Sequence, residues 1–250
     1  MAEIEIFPDR ETFTEMAAEH VTRLSAEAIA EDGAFSLALS GGSTPRPLYS
    51  LLASERFAKR IEWPQVHVFW GDERSVPPEN AQNNYRMARE ALLDAVPLLP
   101  DHIHRIRGED DPKQEASRYE EEVKAFFGSS PGDGSPRTGF NLVLLGMGEN
   151  GHTASLFPGL PAVTEQVRWV MAQYVEAVSM WRITLTPVVI NAAKNIIFLV
   201  SGIEKAQTLA DVLEGPLQPE VWPAQIIKPK QGRLIWLVDE AAARCLKKVR

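Results

Sequence analysis

Short apolar runs, each bounded by glycine, proline or charge, alternate along this chain with longer stretches in which apolar residues return at helical spacing. Glu3 to Phe7 alternates polar and apolar residues as a short strand does. Asp9 then caps an amphipathic helix running through Met16, Val21, Leu24 and Ile29, which Gly33 ends. Phe35–Leu39, Val66–Trp70, Leu142–Leu145, Asn195–Val200 and Leu234–Val238 read as buried strands, and 167–175 and 181–185 as two more. Between them lie helical stretches after Pro45, from Asn83-Asn84-Tyr85, from Asp111 to Phe127, after Thr186-Pro187 and from Lys205 through Leu209 and Leu213. Thr44 and Thr186 are expected N-caps, each with proline at the first helical position. A last helix is expected after Asp239, with Lys247, Lys248 and Arg250 as its basic final turn. Gly128 to Gly139 reads as a surface loop, without repeats or low-complexity tracts elsewhere. Strands alternating with helices predict an α/β fold: one domain over residues 1–250, a mostly parallel sheet with helices on both faces, and ligands at the carboxyl ends of the strands.

Four polar clusters fall at such ends: Ser40 to Thr44, Asp72 to Arg74, Gly146 to Thr153, and Gly202 to Lys205. A common rim would join them into one pocket. Gly41, Gly42, Ser43 and Thr44 lead from a strand into a helix N-terminus, a natural anion site, though an ordinary strand-to-helix connection has the same outline. Gly146-x-Gly148-x-x-Gly151 matches the dinucleotide fingerprint, but Pro158 leaves no room for the helix that motif needs. The same stretch nearly spells a P-loop, with His152 where the lysine belongs. A histidine with a reference pKa of about 6.5 is mostly neutral near neutral pH and accepts a proton better than it grips a phosphate. A general base on a glycine-shaped loop and a histidine capping a short turn both remain open here. His102 and His104 form a His-x-His pair of the kind that binds metal, but no third ligand is close in sequence.

Composition narrows the function classes. A formal charge of −8 over 250 residues argues against a nucleic-acid surface. No apolar run approaches a membrane span, and the acidic start Met1 to Arg10 is unlike a signal peptide, so a cytoplasmic protein is expected. Cys245, the one cysteine, excludes an internal disulfide and a thiolate cluster. N–H donors, hydroxyls and a lysine on one rim suit a phosphorylated small molecule, with acid–base chemistry carried by side chains.

Leu39-Ser-Gly-Gly-Ser-Thr-Pro45, Trp70-Gly-Asp-Glu-Arg74 with Asn83-Asn84-Tyr85, the run from Gly146 to Pro158, Arg182-Ile-Thr-Leu-Thr186 and Ser201-Gly-Ile-Glu-Lys-Ala206 together resemble the 6-phosphogluconolactonase family. The resemblance implies a Rossmann-like fold shared with glucosamine-6-phosphate deaminases and hydrolysis of 6-phospho-D-glucono-1,5-lactone without cofactor, metal or obligate protein partner. It implies His152 as base and Gly41, Gly42, Ser43, Thr44, Arg182 and Lys205 around the 6-phosphate, with Asp72 and Arg74 along the sugar. Asn150 stands where many members carry aspartate; it is expected to support His152 with less carboxylate help. The alternatives are a glucosamine-6-phosphate deaminase, for which Leu156-Phe157-Pro158 supplies no carboxylate beside the histidine, and a non-catalytic sugar-phosphate sensor.

Overall fold

The computed structural model describes residues 2–128 and 139–247. Among these residues the strands are β1 (Glu3–Phe7), β2 (Phe35–Leu39), β3 (Val66–Trp70), β4 (Asp72–Arg74), β5 (Ile103–His104), β6 (Leu142–Gly146), β7 (Val170–Val175), β8 (Met180–Leu185), β9 (Asn195–Val200) and β10 (Arg233–Asp239). The helices are α1 (Arg10–Asp32), α2 (Pro45–Leu52), α3 (Glu55–Ala58), α4 (Asn84–Ala91), α5 (Pro112–Gly128), α6 (Pro187–Ile190) and α7 (Ala206–Glu214). The loop expected at Gly128 to Gly139 lies largely outside the described residues.

Seven strands form one sheet in the order β1-β10-β9-β6-β2-β3-β5, every pairing parallel. All five residues of β2 are buried, as a strand covered on both faces requires. The order reverses at the centre: from β2 the chain moves outward to β3 and β5, and from β6 it moves the other way to β9 and β10. The crevice above the β2/β6 pair is therefore the topological switch point, where open α/β sheets bind ligands. Ser36 and Asn141 lock this junction, with the Ser36 N–H and hydroxyl both donating to Asn141 Oδ1 at 2.9 and 2.8 Å.

A second sheet, β4-β8-β7, is antiparallel. It takes Asp72 to Arg74 out of a loop and into a strand, with Glu73 0 % exposed. The strand expected from Val167 begins only at Val170, because the N–H groups of Gln166, Val167 and Arg168 all turn onto Glu165 Oε1.

Capping follows the sequence in part. Asp9 accepts the Thr12 N–H at 2.8 Å and Asn83 accepts that of Arg86 at 2.8 Å, each closing a first helical turn. Thr44 and Thr186 sit at N-cap positions before proline but make no side-chain cap; the Thr186 hydroxyl donates instead to the Arg168 carbonyl. The closing helix is a single 3₁₀ turn, Ala242–Cys245. Asp239 does accept the Ala242 N–H, but the Ser201 hydroxyl and Gly202 N–H share the same carboxylate, and the Lys247 N–H is drawn off to Glu214. Lys248 and Arg250 lie outside the described residues. His104 Nδ1 meets Glu122 at 2.9 Å and His67 stacks on His102 with ring centres 3.7 Å apart; no His, Cys, Asp and Glu grouping among the described residues could hold a metal. No helix among them is long and apolar enough to cross a membrane.

Candidate active site

A cleft of about 340 Å³ opens at the switch point. Each polar cluster expected on the rim contributes to it: Gly41, Gly42, Ser43 and Thr44 after β2, Asp72 and Arg74 from β4, Gly146 to Glu149 and His152 after β6, and Lys205 before α7. Arg182 arrives from β8, where it pairs in register with Arg74.

The first wall is the Ser40–Thr44 turn. Gly42 has φ 99°, a left-handed conformation that favours glycine. The fully buried Tyr49 of α2 pins the entry to the turn: the Ser40 N–H donates to its phenol oxygen at 3.0 Å and the phenol donates back to the Ser40 carbonyl at 2.8 Å. Arg10 donates to the Ser43 carbonyl at 3.0 Å. Gly41, Gly42 and Ser43 donate no backbone hydrogen bond among the described residues, so their N–H groups are available to an anion at the head of α2.

Three cations line the cleft. Arg74 donates to the Gln82 carbonyl at 2.6 Å, and its Nε is buried without a hydrogen-bond partner among the described residues. Arg182 Nε is likewise buried and unpartnered. Burial first, and then repulsion from Arg74, holds the Arg182 guanidinium below its ordinary range, against the attraction of Asp72. Lys205 Nζ lies 3.7 Å from Glu149 Oε1, beyond hydrogen-bond contact. Asp72, only 8 % exposed, is the buried anion among them; Ser155 donates its hydroxyl to Oδ2 at 2.6 Å and Asn84 its amide to Oδ1 at 3.3 Å.

His152 lines the same cleft. Residues 147–160 form turns and one Thr153–Leu156 bridge instead of a helix, so no helix N-terminus faces a pyrophosphate there. His152 Nδ1 lies 2.5 Å from Asn150 Oδ1, an atom that only accepts, which makes Nδ1 the protonated nitrogen and leaves the Nε2 lone pair free. Burial pushes the imidazolium down to about pH 4; Asp72 opposes this, while Arg182, Lys205 and Arg74 add to it. The second sheet carries the loop from behind, with Ser155 N–H on Thr184 Oγ1 at 3.1 Å and Gln173 Nε2 on the Ser155 carbonyl at 2.7 Å.

Of the residues to which the resemblance gives a role, the cleft is lined by all except Asn150, which touches His152 from beside it. Ser155 and Asn84 were not singled out, although both lay inside the motifs; only their contact with Asp72 reveals them. Glu73 was given no role, although it stands between Asp72 and Arg74.

Fold and cleft define the class first: a switch-point α/β protein whose pocket joins an anion cradle to a neutral imidazole. The chain belongs to the glucosamine-6-phosphate isomerase/6-phosphogluconolactonase family, whose model matches residues 8–236. It is 39 % identical over 246 residues to a 6-phosphogluconolactonase of Synechocystis sp., covering 98 % of each chain, and 39 % identical over 210 residues to that of Haemophilus influenzae, covering 84 % of this chain and 87 % of the other. The solved 6-phosphogluconolactonase of Trypanosoma cruzi superposes with a TM-score of 0.84 at 30 % identity, over 98 % of this chain and 96 % of that one. A monomeric glucosamine-6-phosphate deaminase shares the fold, with a TM-score of 0.79 at 21 % identity over 97 % and 99 % of the two chains.

Proposed function

We propose that this protein is a cytoplasmic, single-domain enzyme that hydrolyses 6-phospho-D-glucono-1,5-lactone to 6-phospho-D-gluconate, the lactone-opening step of the oxidative pentose phosphate pathway. The observation that carries the reading is the meeting of five separate chain segments in one cleft, which His152 lines together with Arg74, Arg182, Lys205 and the Gly41–Thr44 turn. Backbone N–H groups and the cations hold the 6-phosphate, and Asp72 and Arg74 line the sugar hydroxyls. Charge-assisted bonds of this kind hold a dianion more strongly than neutral ones.

His152 Nε2 takes a proton from water as the water oxygen bonds to the C1 carbonyl carbon, giving a tetrahedral oxyanion. Its collapse re-forms the carbonyl and breaks the bond from C1 to the ring oxygen. The imidazolium then returns the proton to that oxygen, which leaves as the C5 hydroxyl, and the new carboxylic acid ionises. Positioned proton transfer of this sort is worth about 10²–10⁴-fold. Asn150 keeps Nδ1 protonated and so aims the basic nitrogen into the cleft.

Base uptake on mixing the purified protein with freshly generated lactone tests the reading. Acceleration by wild type, lost in His152→Ala, is expected; an active His152→Ala sinks the base assignment. Release of ammonia from glucosamine 6-phosphate without lactone opening would replace the reaction altogether.

A further inference from the structure

We propose that Phe157 is a positioning residue which, with the bare Gly148, holds the His152 imidazole in place, the phenyl ring covering one face and the glycine lying against the Nδ1–Cε1 edge, so that Nε2 is left pointing free. The inference rests on the reading of His152 as the base. On one side the Phe157 ring lies nearly parallel to the imidazole, with centroids 4.2 Å apart and planes 14° from each other. At its Nδ1–Cε1 edge, a Cβ at Gly148 would sit 2.1 Å from His152 Cε1 and Nδ1, closer than any real contact. The glycine is therefore needed for what it lacks: the ring rests directly on main chain. Gly148 N–H donates to the His152 carbonyl at 2.8 Å and Gly151 N–H to the Gly148 carbonyl at 3.0 Å, so glycine and ring belong to one closed turn.

Phe157 is itself held. It is 7 % exposed and lies at the edge of the cleft, following the fully buried Leu156 and preceding Pro158. Its carbonyl accepts the Leu160 N–H at 3.1 Å, and Leu156 N–H donates to Thr153 at 2.9 Å. Ala154, between Gly148 and Phe157 in the chain, has φ 47°, a conformation costly for alanine that persists only where the surroundings impose it. One face, the Nδ1–Cε1 edge and the Nδ1 proton of the imidazole are thus occupied.

The clamp has two consequences. It screens one face and one edge of the ring from water, and it fixes where Nε2 points, on which transfer to a reacting atom depends steeply: a displacement of about 1 Å costs on the order of 10²-fold. The aromatic face alone would favour the imidazolium by cation–π attraction. Burial outweighs that attraction here, since the imidazolium is disfavoured overall. The charged groups facing the ring are Asp72, Arg74, Arg182 and Lys205. The Phe157 side chain carries no polar atom, so its replacement removes no hydrogen bond from the groups that hold the phosphate.

The test compares wild type, His152→Ala, Phe157→Leu and Gly148→Ala by steady-state kinetics from about pH 4 to about pH 9 and by NMR titration of the His152 ring. Phe157→Leu is expected to lower kcat by about tenfold or more with KM within about twofold, and to move the ring's titration midpoint up toward about 6.5. Gly148→Ala, whose Cβ pushes the ring aside, is expected to lower kcat likewise and carries the test should the leucine variant fail to fold. Wild-type kcat with an unmoved midpoint, or a rise in KM at constant kcat, overturns the clamp. An active His152→Ala sinks the base reading instead, and the titration still decides whether Phe157 and Gly148 govern the ring.

Discussion

Asn150 is the residue whose chemistry can be altered most sparingly. Its Oδ1 receives the Nδ1 proton of His152 as an aspartate would, but it adds no charge beside the ring. In Asn150→Asp the carboxylate should stabilise the imidazolium and shift the acid limb of the kcat/KM profile to higher pH, by about one pH unit or more. An unmoved limb would mean that position 150 does not tune the base. The wild-type limb should lie near pH 4 for the free enzyme, because burial and the three cations hold His152 there. A bound phosphate dianion offsets those cations, so the kcat limb, which reports the substrate complex, should lie above that of kcat/KM. Coincident limbs would show that the phosphate does not reach the cations. The histidine was legible in the sequence because three glycines and a proline isolate it; the phenylalanine five residues later carried no such signal.

At the scale of elements, the tie between β4 and α4 decides the shape of the cleft. Glu73 Oε1 accepts from the N–H groups of Arg74 and Asn84 at 2.8 and 2.7 Å, and Oε2 from that of Tyr85 at 2.9 Å. The carboxylate thereby caps the first turn of α4 and aims Asn84 at Asp72, whose carbonyl accepts its amide at 2.9 Å. In Glu73→Gln one oxygen becomes an N–H₂ group facing the N–H groups it replaced an acceptor for. A loss of about 1–3 kcal/mol in urea denaturation should follow, with a raised KM as Asp72 loosens. A variant as stable as wild type would show that α4 holds Asn84 unaided. Gly41 is the other half of this contact: a Cβ there would lie 1.9 Å from Asn84 Oδ1. Read in order along the chain, Gly71-Asp72-Glu73-Arg74 looks like charge at a strand end, and only pairing with β8 buries it.

For the whole molecule, a net charge of −8 is combined with a cleft lined by Arg74, Arg182 and Lys205. The anion is therefore recognised locally, at short range, against the sign of the protein. Lys205→Met should raise KM by about 10- to 100-fold, the value of a charge-assisted bond of about 1.5–3 kcal/mol, while kcat falls less. Inorganic phosphate should compete with substrate, and weakly in the variant. Equal KM values would place the phosphate elsewhere. Stability against pH has two opposed contributions from this region. His152 is lowered from 6.5 to about 4, so its contribution is lost as pH falls through that window. Glu73 is raised from 4.5 to about 7, burial outweighing its three N–H donors, so its contribution is lost as pH rises. Between about pH 4.5 and pH 6.5, where both windows overlap, the two should nearly cancel. Urea midpoints should then fall with rising pH in His152→Ala and climb in Glu73→Gln; parallel curves for the two variants would contradict the assignment.

Apolar period, glycine and proline were sufficient to determine the α/β alternation, the turn after β2, the exclusion of a helix after Gly151 and the presence of a histidine where a strand ends. Those features depend on local sterics and on which face of an element is apolar, both written in neighbouring residues. Tertiary structure alone decided that β2 and β6 are neighbours at the switch point, that a second sheet brings Arg182 across to Arg74, that Glu73 is a buried cap, and that Phe157 stacks on His152 while Gly148 meets its edge. These are contacts between segments, or between side chains turned onto each other by a loop. Their energies come from burial and from partners that no local window of the chain contains.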